Sequence, residues 1–397
     1  MIINGIKIFT MTEEYGVIEK GYVKIENGKI AEVGEGERTD DENVLYESGF
    51  LFPGFIDGHT HIGIAEDSLG FEGDDINETG EPITPHLRAI DGINPFDRAF
   101  GEAVAAGVTT VAVAPGSANP IGGQICVIKT DGRIVDEMLV REPAAVKFAL
   151  GENPKTVYHG KNQSPETRMA TAAMIREALI KARDYKEQLD KYKASLAQDG
   201  EDEETKPDFD AKSDALMGVL EGKTEAHFHV HRADDIATAI RISREFGLRT
   251  RLVHCTEGHL IADYVADFAK ETEGGVFLGP YLSDRSKPEL SNMTFANPGI
   301  LAEAGVTVGI TTDHPVTPLK YLPMCASLSV KSGMAKEEAY KALTVNPARL
   351  LGISDRVGSV KPGLDADLVL FDGDPLEMFT KVKRVYIDGR ERFGGEC

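Results

Sequence analysis

Two of the ten histidines in this 397-residue chain, His59 and His61, close the apolar run "PGFIDGHTHIG". In a strand, residues i and i+2 face the same way, about 6.5–7 Å apart along the chain. Two imidazoles near a strand end can therefore reach one metal ion, and Gly58 and Gly63 leave the backbone room to turn away. Taken alone, the pair is better explained by ordinary hydrogen bonds. Later segments add to it. "AHFHVHR" puts His227, His229 and His231 on one face of a single strand, "RLVHC" ends at His254, and "VGITTD" ends at Asp313. Strand interiors are ordinarily Val, Ile, Leu or Ala, so this set fits a plain packed core poorly. Imidazole and carboxylate together suit Zn, Mn, Fe or Ni. An ion of that kind lowers the pKa of its bound water from 15.7 toward about 7 and supplies hydroxide at neutral pH.

The elements that would position these residues follow from patterning. Residues 1–50 alternate as short strands with tight turns, including the hairpin signal Asn27-Gly28, and "DADLVLFDGDP" and "VKRVYIDGRER" read the same way near the far end. Residues 1–50 and 346–397 are expected to build one small β-sandwich from both ends. Between them, over 51–345, strand-like runs alternate with helical patterns such as "DDIATAIRISREFG", the signature of a parallel sheet or barrel. The fold class expected is α/β, a (β/α)8 TIM barrel, whose parallel strand ends would converge on one mouth. A helical insertion is expected at about 160–222. It would start at Ser164-Pro165-Glu166, carry a stripe from Ile175 to Leu196 at three- and four-residue spacing, and return through "SDALMGVLEG" after the acidic turn "QDGEDEETKPDFD". We read it as a surface excursion or an oligomer contact rather than a lid, in a chain expected to be a homo-oligomer.

Net charge is −22, which opposes binding to phosphate backbones and anionic membrane surfaces. No apolar stretch approaches the roughly 18–20 residues that span a bilayer, and the start lacks the pattern of a signal peptide. Cys126, Cys255, Cys325 and Cys397 are scattered without CxxC spacing, as reduced thiols of a cytoplasmic protein would be. Neither nucleic acid nor membrane is expected as a partner; the partner is a small-molecule substrate.

"PGFIDGHTH", His229, His254 and Asp313, in that order, resemble the amidohydrolase superfamily, as do "VNPARLLGI" and "RVGSVKPGLDADLVLFDGDP". "HVHRADDI" and "LGENPK" are similar to segments of its imidazolonepropionase-related branch. The resemblance implies metal-dependent hydrolysis on a (β/α)8 barrel, with His59, His61 and Asp313 around the more buried ion and His229 and His254 around a second, if there is one. Zinc is the first expectation, as one or two ions per chain, with Fe, Mn or Ni as alternatives. Many binuclear members bridge the ions with a carboxylated lysine. Here Lys147 sits at the entry end of "AAVKFALGENPK", on the opposite parity from Glu152, and Glu152 is taken as the bridging ligand. The other readings are that Glu152 caps the loop or pairs with Lys155, or that Lys155 is carboxylated. Comparison with the family favours His229 over His231 as ligand. That leaves His231 as a donor to the developing oxyanion, with Asp313 as general base.

The loop cations Arg232, Arg285 and Lys287, with His86, together point to a carboxylate-bearing substrate, although pairing with the many acids explains any single one at least as well. The reaction expected is attack on an amide C–N bond, cyclic in one version. Hydrolytic deamination of a heterocycle is the alternative, disfavoured because "HVHR" offers no HxxE. A catalytically silent scaffold of the same fold is the rival from another class.

Overall fold

The computed structural model describes residues 1–40, 43–67, 69–196 and 205–394. Five strands open the chain: β1 (Ile2–Phe9), β2 (Val17–Glu26), β3 (Lys29–Glu35), β4 (Val44–Tyr46) and β5 (Phe50–Pro53). Eight more follow: β6 (Phe55–Thr60), β7 (Val108–Val113), β8 (Ile121–Lys129), β9 (Leu139–Ala149), β10 (Glu225–Val230), β11 (Thr250–His254), β12 (Gly275–Leu278) and β13 (Thr307–Ile310). The chain closes with β14 (Leu368–Phe371), β15 (Val382–Ile387) and β16 (Arg390–Gly394).

The end strands do share a sheet, ordered β16-β15-β14-β5-β1-β2-β3 with β4 on β1. All of these strands lie on one hydrogen-bonded sheet. β14 pairs antiparallel to β5, so the last part of the chain is zipped onto the first. One face buries Ile3, Ile6, Ile8, Val23, Leu368 and Leu370. Phe52 and Phe371 belong instead to the large core of the barrel. At the boundary, buried Lys129 on β8 donates to Asp365 and Asp367, 3.0 and 2.6 Å away.

The middle of the chain forms a nearly closed eight-stranded sheet in sequence order, β6 to β13. Neighbours are parallel except around β8, which runs antiparallel to both β7 and β9. The expected uniform β/α repeat therefore fails at one place. The Gly-rich run "PGSANPIGGQ" (115–124) reads by composition as a turn lining the mouth, yet Gly122 and Gly123 lie inside β8, where Gly123 at φ +151 passes close to the Leu87 carbonyl. The strands β6, β7 and β10–β12 are buried at every position. That requires cover on the outside and packed side chains within, as a barrel provides.

The helical excursion is present but starts later than expected. The helix Arg168–Ser195 is capped by Thr167, whose side chain accepts from the Ala170 N–H. Ser164 precedes a cis peptide to Pro165 and lies outside the helix. Ile175, Leu179 and Ala182 are fully buried, and the second helix spans Ala211–Leu220. The connecting residues 197–204, with most of the acidic turn, lie outside the described residues. No helix among the described residues is long and apolar enough to cross a membrane.

Candidate metal centre

Each candidate ligand stands at or just beyond the C-terminal end of a parallel barrel strand. His59 is the fifth residue of β6, and His61 follows its last. His229 is the fifth residue of β10, with His231 just past its end, and His254 is the last of β11. Asp313 lies three residues beyond β13. Gly58 serves a purpose other than turning: a Cβ there would meet the Phe277 ring at 2.1 Å, so its absence admits that ring to the barrel interior. Gly63, at φ +77, does turn the chain.

Two compact groups result, His59–His61–Asp313 and His229–His231–His254, with ligand atoms in each within 4.8 Å of one another. Asp313 Oδ1 lies 3.5 Å from His59 Nε2 and 3.2 Å from His61 Nε2. Donors sharing one ion at about 2.0–2.2 Å in tetrahedral geometry would be separated by roughly 3.4 Å. The rings of His59 and His254, 5.5 Å apart, join the groups. Partners fix the ring orientations. His61 Nδ1 meets the Ala114 carbonyl at 2.7 Å, His254 Nδ1 the Gly279 carbonyl at 2.7 Å, and His231 Nδ1 the Thr256 hydroxyl at 2.7 Å. Against the Ala114 and Gly279 carbonyls the proton must sit on Nδ1, which leaves the Nε2 lone pairs of His61 and His254 for a metal, whereas the Thr256 hydroxyl can donate to His231 Nδ1 and leave that ring's proton on Nε2. His254 Nε2 is buried with no hydrogen-bond partner. These residues fit a divalent ion.

A model of the amidohydrolase family matches residues 50–392. The chain belongs to the amidohydrolase family. It is 41% identical to an amidohydrolase from Thermotoga maritima MSB8, whose crystal structure superposes with a TM-score of 0.92 over 99% of this chain and 100% of that one. Amidohydrolase tasK of Hapsidospora irregularis is 30% identical over 396 residues, 94% of this chain, but the chain spans only 40% of that protein. An imidazolonepropionase of Maricaulis maris is 27% identical over 402 residues, covering 95% of this chain and 93% of its own. This amidohydrolase is accordingly a hydrolase acting on carbon–nitrogen bonds.

The residue at the middle of its site is Lys147, and Glu152 is elsewhere. Lys147 is wholly buried on β9, level with His227 of β10, and its Nζ is 2.8 Å from His59 Nε2. A four-carbon stem carries the amine from one layer down to the level of the ligands, which parity counting along the strand overlooks. Glu152 misses the site because Gly151, at φ +88, turns the chain and Glu152 begins the helix Glu152–His159. Its N–H donates to Glu289 Oε2 at 3.0 Å. Its side chain lines an outer cavity of about 580 Å3 with Lys155, His159, Glu166, Arg168 and Arg232.

Burial dominates the electrostatics. It drives the His59, His229 and His231 rings well below their usual pKa, helped by Lys147 at His59 and by His254 at the other two. His254 falls to about 4 for the same first reason. Neutral imidazoles are the form that binds metal. Burial also lowers Lys147 to about 7 against the pull of Asp313. Asp313 is pushed up by burial but held well below the carboxylate range by His254, His61 and Lys147.

Of the four expected substrate contacts, only Lys287 is tied to the cluster. Its Nζ donates to Asn153 Oδ1 at 2.6 Å, and Asn153 Nδ2 lies 3.4 Å from His229 Nε2. Arg232 forks onto Asp234 at 2.9 Å, which orients it outward. Arg285 is exposed and donates to the Met293 carbonyl at 2.9 Å. His86 shares an outer cleft with Lys181, Tyr185 and Phe209, against the helical excursion, so the loop after β6 carries it away from the histidines. Patterning gave no role to Asn153 or Glu289. Buried Glu289, raised to about 7 by burial, lies with Oε1 3.7 Å from His231 Nε2.

Proposed function

We propose that this chain is a metal-dependent amidohydrolase that cleaves an amide C–N bond, cyclic in one version, of a small carboxylate-bearing substrate. The observation that carries the reading is the meeting of His59, His61 and Asp313 with Lys147, His229 and His254 at one barrel mouth. His59, His61 and Asp313 would hold one divalent ion, and His229 and His254 a second. Lys147 rather than Glu152 would join the two ions, as the carbamate that its amine forms with carbon dioxide on release of a proton, because the amine already lies against His59 and is driven toward the neutral, nucleophilic form. Bound there, divalent ions would supply an activated water and polarise the scissile carbonyl. Asp313, ionised throughout the neutral range, takes the proton of the attacking water and passes it to the leaving amine. His231, held by Thr256, presents Nε2 as a donor to the oxygen that gains charge. Lys287, through Asn153, supplies a cation beside His229 for a substrate carboxylate. The relative named imidazolonepropionase supports the cyclic version. Three buried free thiols agree with a cytoplasmic setting.

Metal analysis of the purified protein and of Lys147→Met tests the centre: two ions per chain, falling to one or none, supports the bridge, whereas equal metal in both removes it. A library of N-acyl amino acids, dipeptides and cyclic ureides, assayed for amine and carboxylate release, tests the reaction. Ammonia as the sole amine product would replace amide hydrolysis with deamination.

A further inference from the structure

The hydrogen-bonded path of the barrel sheet starts at β6 and ends at β13, and no backbone ladder joins those two strands. Yet the seam between them carries His59 and His61 on one side and Asp313 on the other. We infer that Asp57 is the positioning residue that closes this seam and sets Asp313 against His59 and His61. The inference rests on the proposed metal centre.

Asp57 is on β6, two residues before His59, and is completely buried. Its Oδ2 accepts from the Thr312 N–H at 2.8 Å and from the Thr312 hydroxyl at 2.6 Å. Its Oδ1 accepts from the His59 N–H at 3.1 Å and from the Thr311 hydroxyl. That hydroxyl also lies 2.6 Å from the His59 carbonyl, so one hydrogen is shared between a ligand's backbone and the seam carboxylate. A single carboxylate thus grips both residues that precede Asp313, while its own strand carries the two histidines. The His61 N–H adds one backbone bond, to the His314 carbonyl at 2.8 Å.

This grip also fixes the local conformation. Asp313 has φ +53, in the left-handed region that aspartate visits more readily than most residues with a side chain. With Thr311 and Thr312 pinned, the next residue has little freedom left, and its carboxylate falls 3.2–3.5 Å from the two imidazoles. A hydrophobic residue at position 57 would fill the space but leave the Thr312 N–H and hydroxyl without acceptors and the Thr311 hydroxyl with the His59 carbonyl alone. Loosening of outer partners of metal ligands ordinarily weakens metal binding 10–100-fold.

The test uses the full chain loaded with zinc: Thr311→Val, Thr311→Ser and Asp57→Asn, beside wild type. Zinc affinity is read by chelator competition, and kcat and KM are measured on whichever substrate the library identifies. Thr311→Val is nearly isosteric, so it carries the test even if Asp57→Asn fails to fold. The expected result is one of the two ions bound roughly 10–100-fold more weakly in Thr311→Val, kcat lowered with KM unchanged, and Thr311→Ser restored to near wild type. Zinc affinity and kcat in Thr311→Val equal to wild type would overturn the inference and leave the metal centre standing. Wild type that binds no zinc would overturn the metal centre itself, and the inference with it.

Discussion

Replacing Lys147 by methionine in the metal-free protein removes an amine whose pKa burial has pushed down to about 7 from 10.5. In the unfolded chain the amine keeps its ordinary value. Between about 7 and 10.5 the unfolded state therefore holds a proton that the native state does not. Native stability must then rise with pH across that window, by about 1.4 kcal/mol per unit where the difference is a full proton. Below the window both states are charged, and the native state carries the whole cost of a buried ammonium, on the order of 5 kcal/mol. The neighbours make this cost unusually plain, since Lys147 meets an imidazole at 2.8 Å and, among the described residues, no carboxylate within ion-pair distance. The assay is urea unfolding of chelator-treated protein in carbonate-free buffer, stepped from neutral to about pH 10, for wild type and Lys147→Met. Groups common to both proteins cancel in the comparison. Wild type should gain stability with pH relative to the variant, and the variant should be the more stable of the two at neutrality. Parallel curves for the two proteins would refute the assignment of Lys147 as an uncompensated buried amine.

Three further outcomes follow from the geometry. Glu152→Gln should keep its full metal content, because that side chain lines the outer cavity; loss of an ion by metal analysis would restore Glu152 as a ligand. Gly58→Ala should lower the unfolding free energy by about 1–3 kcal/mol through overpacking, since its methyl would meet the Phe277 ring at 2.1 Å. Phe277→Leu in the same chain should recover part of that loss, and a Gly58→Ala protein as stable as wild type would contradict the packing. Lys287→Met should raise KM roughly tenfold or more for carboxylate-bearing substrates, a charged hydrogen bond being worth about 1.5–3 kcal/mol. Uncharged analogues should be unaffected, and equal loss on both would remove Lys287 from substrate recognition.

The parts of the site legible in the sequence are those where a strand's two-residue period runs unbroken to its end. "DGHTH" and "HFHVH" are such runs, and the structure gathers His59, His61, His229 and His231 at one mouth with His254 and Asp313, while His227 stays one layer down beside Lys147. Parity failed where the period is interrupted. Counting from Lys147 to Glu152 assumes one strand, but β9 ends at Ala149 and Gly151 turns the chain, so the two residues share no face to compare. Composition failed at β8, whose glycines read as a turn because nothing local shows that they make room for the loop after β6. The deepest gap is Asp57. It sits inside the motif that announces the site, two residues from the first ligand, and has the right residue type for a metal ligand. Its partners, Thr311 and Thr312, are 254 and 255 residues away in the chain. Whether a buried carboxylate binds an ion or fastens the strand that carries another carboxylate depends on which strand closes the barrel beside it. That is a property of the closed sheet, and no window of sequence around "GFIDGHTH" contains it.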